Sequence, residues 1–188
     1  MSSYKIIPWG ADLDLADFYA EAKHRGFENN SSQKVLVDCF HNEQSKQVWI
    51  LYYNNRAVGS VAAHSFPEMG QDAFRIAART CVFTDQLPGT YGSALRTISV
   101  ITEHQNPTAQ FLIPTCLSWC PPWAELYITS NESAVGTQRL VHNIFGPAME
   151  RQGVMKRICE LDYRGTKQTA WQFFPDAFHK QLALFRRW

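Results

Sequence analysis

Along this chain the spacing of apolar side chains alternates between a helical period and a strand period. Tyr4 to Trp9 predicts a short edge strand, after which Leu15, Phe18, Tyr19 and Ala22 recur at the spacing of one helix face, with Asp12 or Asp14 as N-cap and Gly26 as the terminator. Val35, Leu36, Cys39 and Phe40 make a second helical stripe. From Gln47 the period becomes two. Gln47–Tyr53 and Arg56–Phe66 flank Asn54-Asn55, a pair that tolerates positive φ, and predict a hairpin. Pro67–Asp72 links it to a third antiparallel strand, Phe74–Phe83.

Thr84 to Gly92 then forms a glycine turn that feeds a helix beginning near Ser93, with Leu95, Ile98, Ile101 and Thr102 on one face and Asn106-Pro107 as the stop. Strand, glycine turn and helix N-terminus in direct succession suit a phosphate or pyrophosphate, because the helix end offers unpaired N–H groups and glycine lets a ligand approach closely. Residues 106–123 predict at most a short helix through Phe111-Leu-Ile113, since Pro114 and Pro121-Pro122 break any long element. Glu125–Thr129 reads as a buried strand. Ser130 or Ser133 is the expected cap of a helix carrying Val135, Leu140, Val141, Ile144 and Phe145, kinked at Pro147 and ended before Gly153. Met155–Tyr163 and Thr166–Phe174 make a second hairpin around Arg164-Gly165, and Pro175–Trp188 an amphipathic helix with Phe178, Leu182, Leu184 and Phe185. No repeat or linker interrupts the order, so one domain over residues 1–188 is expected.

Composition narrows the function classes. Eighteen Lys and Arg balance 17 Asp and Glu, for a net charge of +1, which argues against a general electrostatic grip on nucleic acid. The apolar runs are short and interrupted, and the N-terminus lacks the pattern of a signal peptide, so a cytoplasmic protein with no membrane span is expected. Five cysteines, Cys39, Cys81, Cys116, Cys120 and Cys159, fit reduced thiols. Cys116 and Cys120 would share a helix face as small core residues. No zinc-type spacing accompanies them, and no metal is expected.

The order of strand, two helices, three-strand meander, glycine turn, helix, strand, helix and hairpin resembles the GNAT superfamily of N-acetyltransferases over nearly the whole chain. The resemblance implies an α+β fold: a mixed, mostly antiparallel central sheet flanked by helices and splayed between its fourth strand, Phe74–Phe83, and its fifth, Glu125–Thr129. It also implies acetyl-coenzyme A in that splay, with its pyrophosphate on Gln86-Leu-Pro-Gly89-Thr90-Tyr91-Gly92-Ser93. The family motif there is Gln or Arg, two residues, Gly, one residue, then Gly or Ala; this chain has one residue more between Gly89 and Gly92. After the fifth strand, Asn131 and Ala134 match a family pattern of Asn, two residues, Ala, three residues, Tyr, in which the Asn binds pantetheine or orders the site. Gln138 stands where the family Tyr protonates the coenzyme A thiolate. A carboxamide cannot do this.

The proton donor must therefore come from elsewhere. His142, one helical turn after Gln138, can replace the Tyr, and Tyr127 and Tyr163 are further donors. His64 alternates onto either the cleft or the core. Arg75 and Arg79 share one strand face, where they meet a phosphate or an acidic substrate, or simply form a solvated surface with cross-strand ion pairs. Two functions follow: acetyl transfer from acetyl-coenzyme A to an amine, borne by a small molecule or a protein, or a GNAT-like interaction protein without catalysis. His104–Gln110 and Gly136–His142 also resemble uncharacterised proteins of tailed phages, which would put the protein in a host cytoplasm with a host-directed role.

Overall fold

A computed structural model of the chain describes residues 4–8, 45–53, 56–80, 111–132, 142–143, 146–163 and 165–185. The two N-terminal helices, the glycine turn and the helix after it lie outside the described residues. Among the described residues seven strands form one sheet: β1 (Tyr4–Pro8), β2 (Ser45–Tyr53), β3 (Arg56–Ser65), β4 (Ala73–Thr80), β5 (Glu125–Ser130), β6 (Met155–Tyr163) and β7 (Thr166–Phe173). Their spatial order is β1-β2-β3-β4-β5-β7-β6. Only β4 and β5 run parallel; every other neighbouring pair is antiparallel.

Local chemistry accounts for much of this register. Tyr53 pairs with Arg56 and Tyr163 with Thr166, so each predicted hairpin closes over the expected two positions. Between β3 and β4, Pro67 opens a turn in which Met69 donates its N–H to Phe66 O (3.0 Å), and Phe66 N–H reaches Ala73 O (2.8 Å). The predicted fourth strand begins at Ala73, one residue early, and is described to Thr80; Cys81 to Phe83 lie outside.

Because side chains alternate across a strand, the ladders sort them onto two faces. Phe74, Ile76, Leu126, Ile128, Thr169, Trp171 and Phe173 lie on one, called here the Trp171 face. All three described helices pack on it. In α1 (Ile113–Trp119), Trp119 meets Trp49 and Phe74 edge-on; in α3 (Pro175–Phe185), Phe178 stacks on Phe173, with ring centroids 5.4 Å apart. The opposite face carries a smaller cluster of Phe66, Ala73, Tyr127, Tyr163 and Ala170.

Two sequence expectations need correction. Pro114 does not break the 106–123 segment; it occupies the first turn of α1, where its missing N–H would have had no intrahelical partner. Ser130 is not a helix cap but the last residue of β5. The helix expected after it is described only as α2 (Gly146–Arg151), with Pro147 in its first turn.

α2 ends as the sequence predicts. Gly153 adopts φ +71° and donates to Glu150 O (3.0 Å), while Val154 donates to Met149 O (2.9 Å). This is the paired closure of a Schellman motif, with Val154 and Met149 buried beside each other in the core. The other end of α2 lies against the sheet. A Cβ on Gly146 would stand 2.6 Å from Cη2 and 2.8 Å from Cε2 of Trp171, whose ring is buried and fixed at its Nε1. Gly146→Ala should therefore lower stability by about 1–3 kcal/mol in urea unfolding, overriding the gain of under about 1 kcal/mol that alanine brings to a helix. An unchanged or raised unfolding midpoint would contradict this packing.

Candidate active site

The parallel ladder between β4 and β5 has three registered pairs, Ala73 with Glu125, Phe74 with Leu126 and Arg75 with Tyr127. Beyond them β4 continues paired to β3 as far as Thr80, and β5 continues paired to β7 as far as Ser130. The two strands thus part at Arg75 and Tyr127, and no ladder pair joins them beyond that point among the described residues.

One side chain spans this divergence. Arg75 is only 9% exposed, and its Nε donates to Thr129 Oγ1 at 2.9 Å, two residues beyond the last ladder pair. Its guanidinium carbon lies 4.9 Å from the centre of the Tyr163 ring, a cation–π contact. His64, fully buried, is the cross-strand partner of Arg75 on β3. Phe66 packs edge-on against both Tyr127 and Tyr163. The solvated reading of Arg75 is overturned: its side chain is buried, with the Tyr163 ring against its guanidinium. The side chain of Arg79 lies outside the described set.

Tyr127 sits on the Arg75 face, and its hydroxyl donates to Glu125 Oε2 at 2.8 Å. Burial first, and the adjacent carboxylate second, push its phenol up to about 12.

His142 belongs to the other face. Its Nδ1 is 3.3 Å from both Ser130 Oγ and Thr169 Oγ1, and its ring meets Trp171 edge-on. Trp171 Nε1 donates to Ser130 Oγ at 2.8 Å, so this hydroxyl bridges the indole and the imidazole. The imidazole Nε2 faces Glu132 Oε2 at 3.8 Å. The His142 side chain is 12% exposed and Glu132 74%, so the ring is anchored at its inner edge and open to solvent near its outer one. Beyond Glu132, Lys167 and Glu160 pair at 2.6 Å and Arg157 joins Glu160 at 3.0 Å; the Lys167 bond and charge hold the Glu160 carboxyl below its usual range.

Tyr127 and His142 are therefore on opposite faces of β5 and do not form one constellation. Asn131 follows β5 directly and is half-buried. Gln86, Gly89, Thr90, Tyr91, Gly92 and Ser93 lie outside the described residues, as do Ala134 and Gln138. Ser130, Thr169, Trp171 and Thr129 were not singled out for chemistry from the sequence. Strand alternation could have placed Thr129 beside Arg75; no local signal pointed to Ser130 and Thr169 meeting one imidazole. Cys116 on α1 and Cys120 at its C-cap are free and buried, and their mutual hydrogen bond, then burial, raises the Cys116 thiol. Among the described residues no group of three or more His, Cys, Asp or Glu side chains is placed to hold a metal, and no described helix is long and apolar enough to cross a membrane.

No protein-family model matches the sequence, and no curated protein matches it. Solved structures do match the fold. An aminoglycoside acetyltransferase, AAC(6')-Ib, in complex with coenzyme A and kanamycin aligns with TM-score 0.54 and 14% identity over 95% of this chain and 98% of its own. An acyl-CoA N-acyltransferase from Pseudomonas aeruginosa aligns with TM-score 0.51 and 9% identity over 92% and 100%. A GNAT family acetyltransferase from Elizabethkingia anophelis with acetyl-CoA bound aligns with TM-score 0.50 and 13% identity over 90% and 97%. The fold is GNAT-like, with the fourth and fifth strands parallel and splayed as the sequence resemblance implies.

The Tyr127 environment makes a pH prediction. Its pKa rises from 10 in the unfolded chain to about 12 in the fold, so its contribution to stability is complete below pH 10 and is lost as pH climbs from about 10 to about 12. Tyr127→Phe should lose less stability than wild type between about pH 9 and about pH 11 in urea unfolding, and should lack the late-titrating phenol in ultraviolet absorbance. Equal slopes and an ordinary phenol titration would refute the assignment.

Proposed function

We propose that this protein binds acetyl-coenzyme A between β4 and β5 and transfers the acetyl group to an amine. The observation that carries this reading is the three-pair ladder, which leaves two strand edges diverging from Arg75 and Tyr127. Such edges suit an extended ligand containing secondary amides, which can add to a strand edge through main-chain hydrogen bonds. Acetyl-coenzyme A, when bound, supplies an activated thioester. The glycine turn from Gln86 through Ser93 would hold its pyrophosphate on backbone N–H groups and the helix dipole, and Asn131, at the open end of β5, would meet its pantetheine arm.

The chain's own contribution to the chemistry is to manage protons. A neutral amine nitrogen attacks the thioester carbonyl carbon, the carbon–sulfur bond breaks, and the amine loses one proton while the sulfur gains one. The amine proton leaves to solvent, and His142 is the residue assigned to give the sulfur its proton from Nε2, acting as the charged ring. Its Nδ1–H then donates to Ser130 or Thr169, which keep the ring in place, and Glu132 offsets its charge. Tyr127, whose hydroxyl proton is engaged by Glu125, lines the acceptor side instead.

Calorimetry with acetyl-coenzyme A, followed by thiol release on an amine panel, tests this directly. Binding is expected in wild type. Gly89→Val or Gly92→Val should weaken it at least tenfold, about 1.4 kcal/mol, because a branched side chain obstructs both the turn and the close approach. His142→Gln should leave acetyl-coenzyme A affinity unchanged and lower kcat by about a hundredfold or more. If folded wild type shows no binding at millimolar ligand, the acetyltransferase reading is abandoned in favour of an interaction protein.

A further inference from the structure

On the sheet face opposite Trp171, two sulfur atoms meet that the acetyl-transfer reading does not use. Arg157 pairs with Trp171 and Cys159 with Ala170, so β6 advances two residues while β7 advances one, and Ile158 is the extra residue. A bulge of this kind re-aims the side chains that follow it. In a regular strand Cys159 would share the face of Arg157; here it lies on the other, beside Met69 and the cluster of Phe66, Ala73, Tyr127, Tyr163 and Ala170. Cys159 Sγ stands 3.8 Å from Met69 Sδ, across 90 positions of sequence.

Both ends of this contact are held by main chain. Met69 sits in the turn between β3 and β4, where its N–H reaches Phe66 O (3.0 Å), Gly70 N–H reaches Pro67 O (3.2 Å) and Ala73 N–H reaches Gly70 O (3.3 Å). Cys159 is in register with fully buried Ala170, on β6, the edge strand of the described sheet. Each of the two residues is half-buried, so a small ion can arrive from solvent while the apolar cluster backs the sulfurs.

From this arrangement we infer that Cys159 and Met69 are two ligands of a site for a soft monovalent cation, Cu(I). With metal–sulfur bonds of about 2.3 Å, sulfurs 3.8 Å apart subtend about 110° at the metal, the angle between neighbouring ligands of a tetrahedral centre. The pair needs little movement to close on an ion. Binding exchanges the Cys159 S–H bond for a sulfur–metal bond, and the proton goes to solvent. Met69 contributes an uncharged thioether, which suits Cu(I), whereas Zn(II) takes thiolate, imidazole and carboxylate. Small exogenous donors, such as a low-molecular-weight thiol, complete the coordination. The site is independent of acetyl transfer and stands or falls without it.

The test follows the methionine methyl groups by NMR, because the other cysteines of the chain also attract Cu(I). The full chain, isotopically labelled at the methyls of its four methionines, gives one signal that Met69→Leu removes and so assigns. Cu(I) is added anaerobically as its acetonitrile complex, and Zn(II) in a parallel titration. Cu(I) should move the Met69 methyl to a saturating shift, and Zn(II) should leave it in place. Cys159→Ser should raise the Cu(I) concentration at half-saturation at least tenfold. A Met69 methyl that stays put overturns the inference, whether the protein takes up no Cu(I) or holds it on other thiols. So does a shift that Zn(II) produces at the same concentration, or one that survives Cys159→Ser unchanged in a protein folded by circular dichroism. If that variant fails to fold, the wild-type responses to the two metals decide the matter.

Discussion

The structure turns on a parallel pairing that stops after three residues. Every other junction in the sheet is antiparallel and most run the length of their strands, so β4 and β5 meet as the ends of two otherwise independent halves, β1 to β4 and β5 to β7. The right-handed twist of each half carries the strands apart once main-chain bonds cease to hold them. Parallel pairing is also the weaker kind, with slanted bonds, so the seam is where a sheet of this composition opens most easily. Side-chain chemistry across the seam adds to the three-pair ladder in holding the two halves together. On one face this is the Arg75 to Thr129 bond; on the other it is the continuous core linking Phe74, Leu126 and the helices above them.

This seam gives β5 two different faces. Glu125, Tyr127 and Thr129 look toward the buried guanidinium and the aromatic cluster, while Leu126, Ile128 and Ser130 look toward the helices and His142. Polar groups are braced on both sides, and each brace uses a hydroxyl near the open end of the strand. Thr129 receives a cation's N–H. Ser130 receives an indole N–H and shares a hydrogen bond with an imidazole. Buried hydroxyls of this kind are costly unless both roles are filled, and here the partners come from strands far apart in sequence.

The close seating of α2 follows from the same economy. Trp171 must keep its Nε1 on Ser130, so its ring cannot swing away from the helix above, and the helix approaches through the one residue with no side chain, Gly146. The sheet's polar anchoring therefore dictates how near a helix can pack, and a glycine that looks ordinary in the sequence becomes a contact surface.

Local information carried much of the fold. Alternation between Gln47 and Phe66, the link from Pro67 to Asp72, the hairpin at Arg164-Gly165, the closure at Gly153 and the helix entered through Pro175 are all decided within a few residues by φ preferences, missing donors and periodicity, and they recur in the structure where they were expected. Even the parallel relation of β4 to β5 was implied by the order of elements. Three matters were settled only by tertiary structure. Pro114 begins a helix because a donor-less residue fits a first turn as well as it breaks an interior. Arg75 lies inside because residues 52 to 54 and 88 positions away, Tyr127, Thr129 and Tyr163, arrive beside it, and no local pattern distinguishes a buried strand cation from a solvated one. His142 and Tyr127 stand on opposite faces because Ser130 and Tyr127 differ by an odd number of positions along one strand, so the register that joins β5 to β7 sends one toward the imidazole and the other away from it.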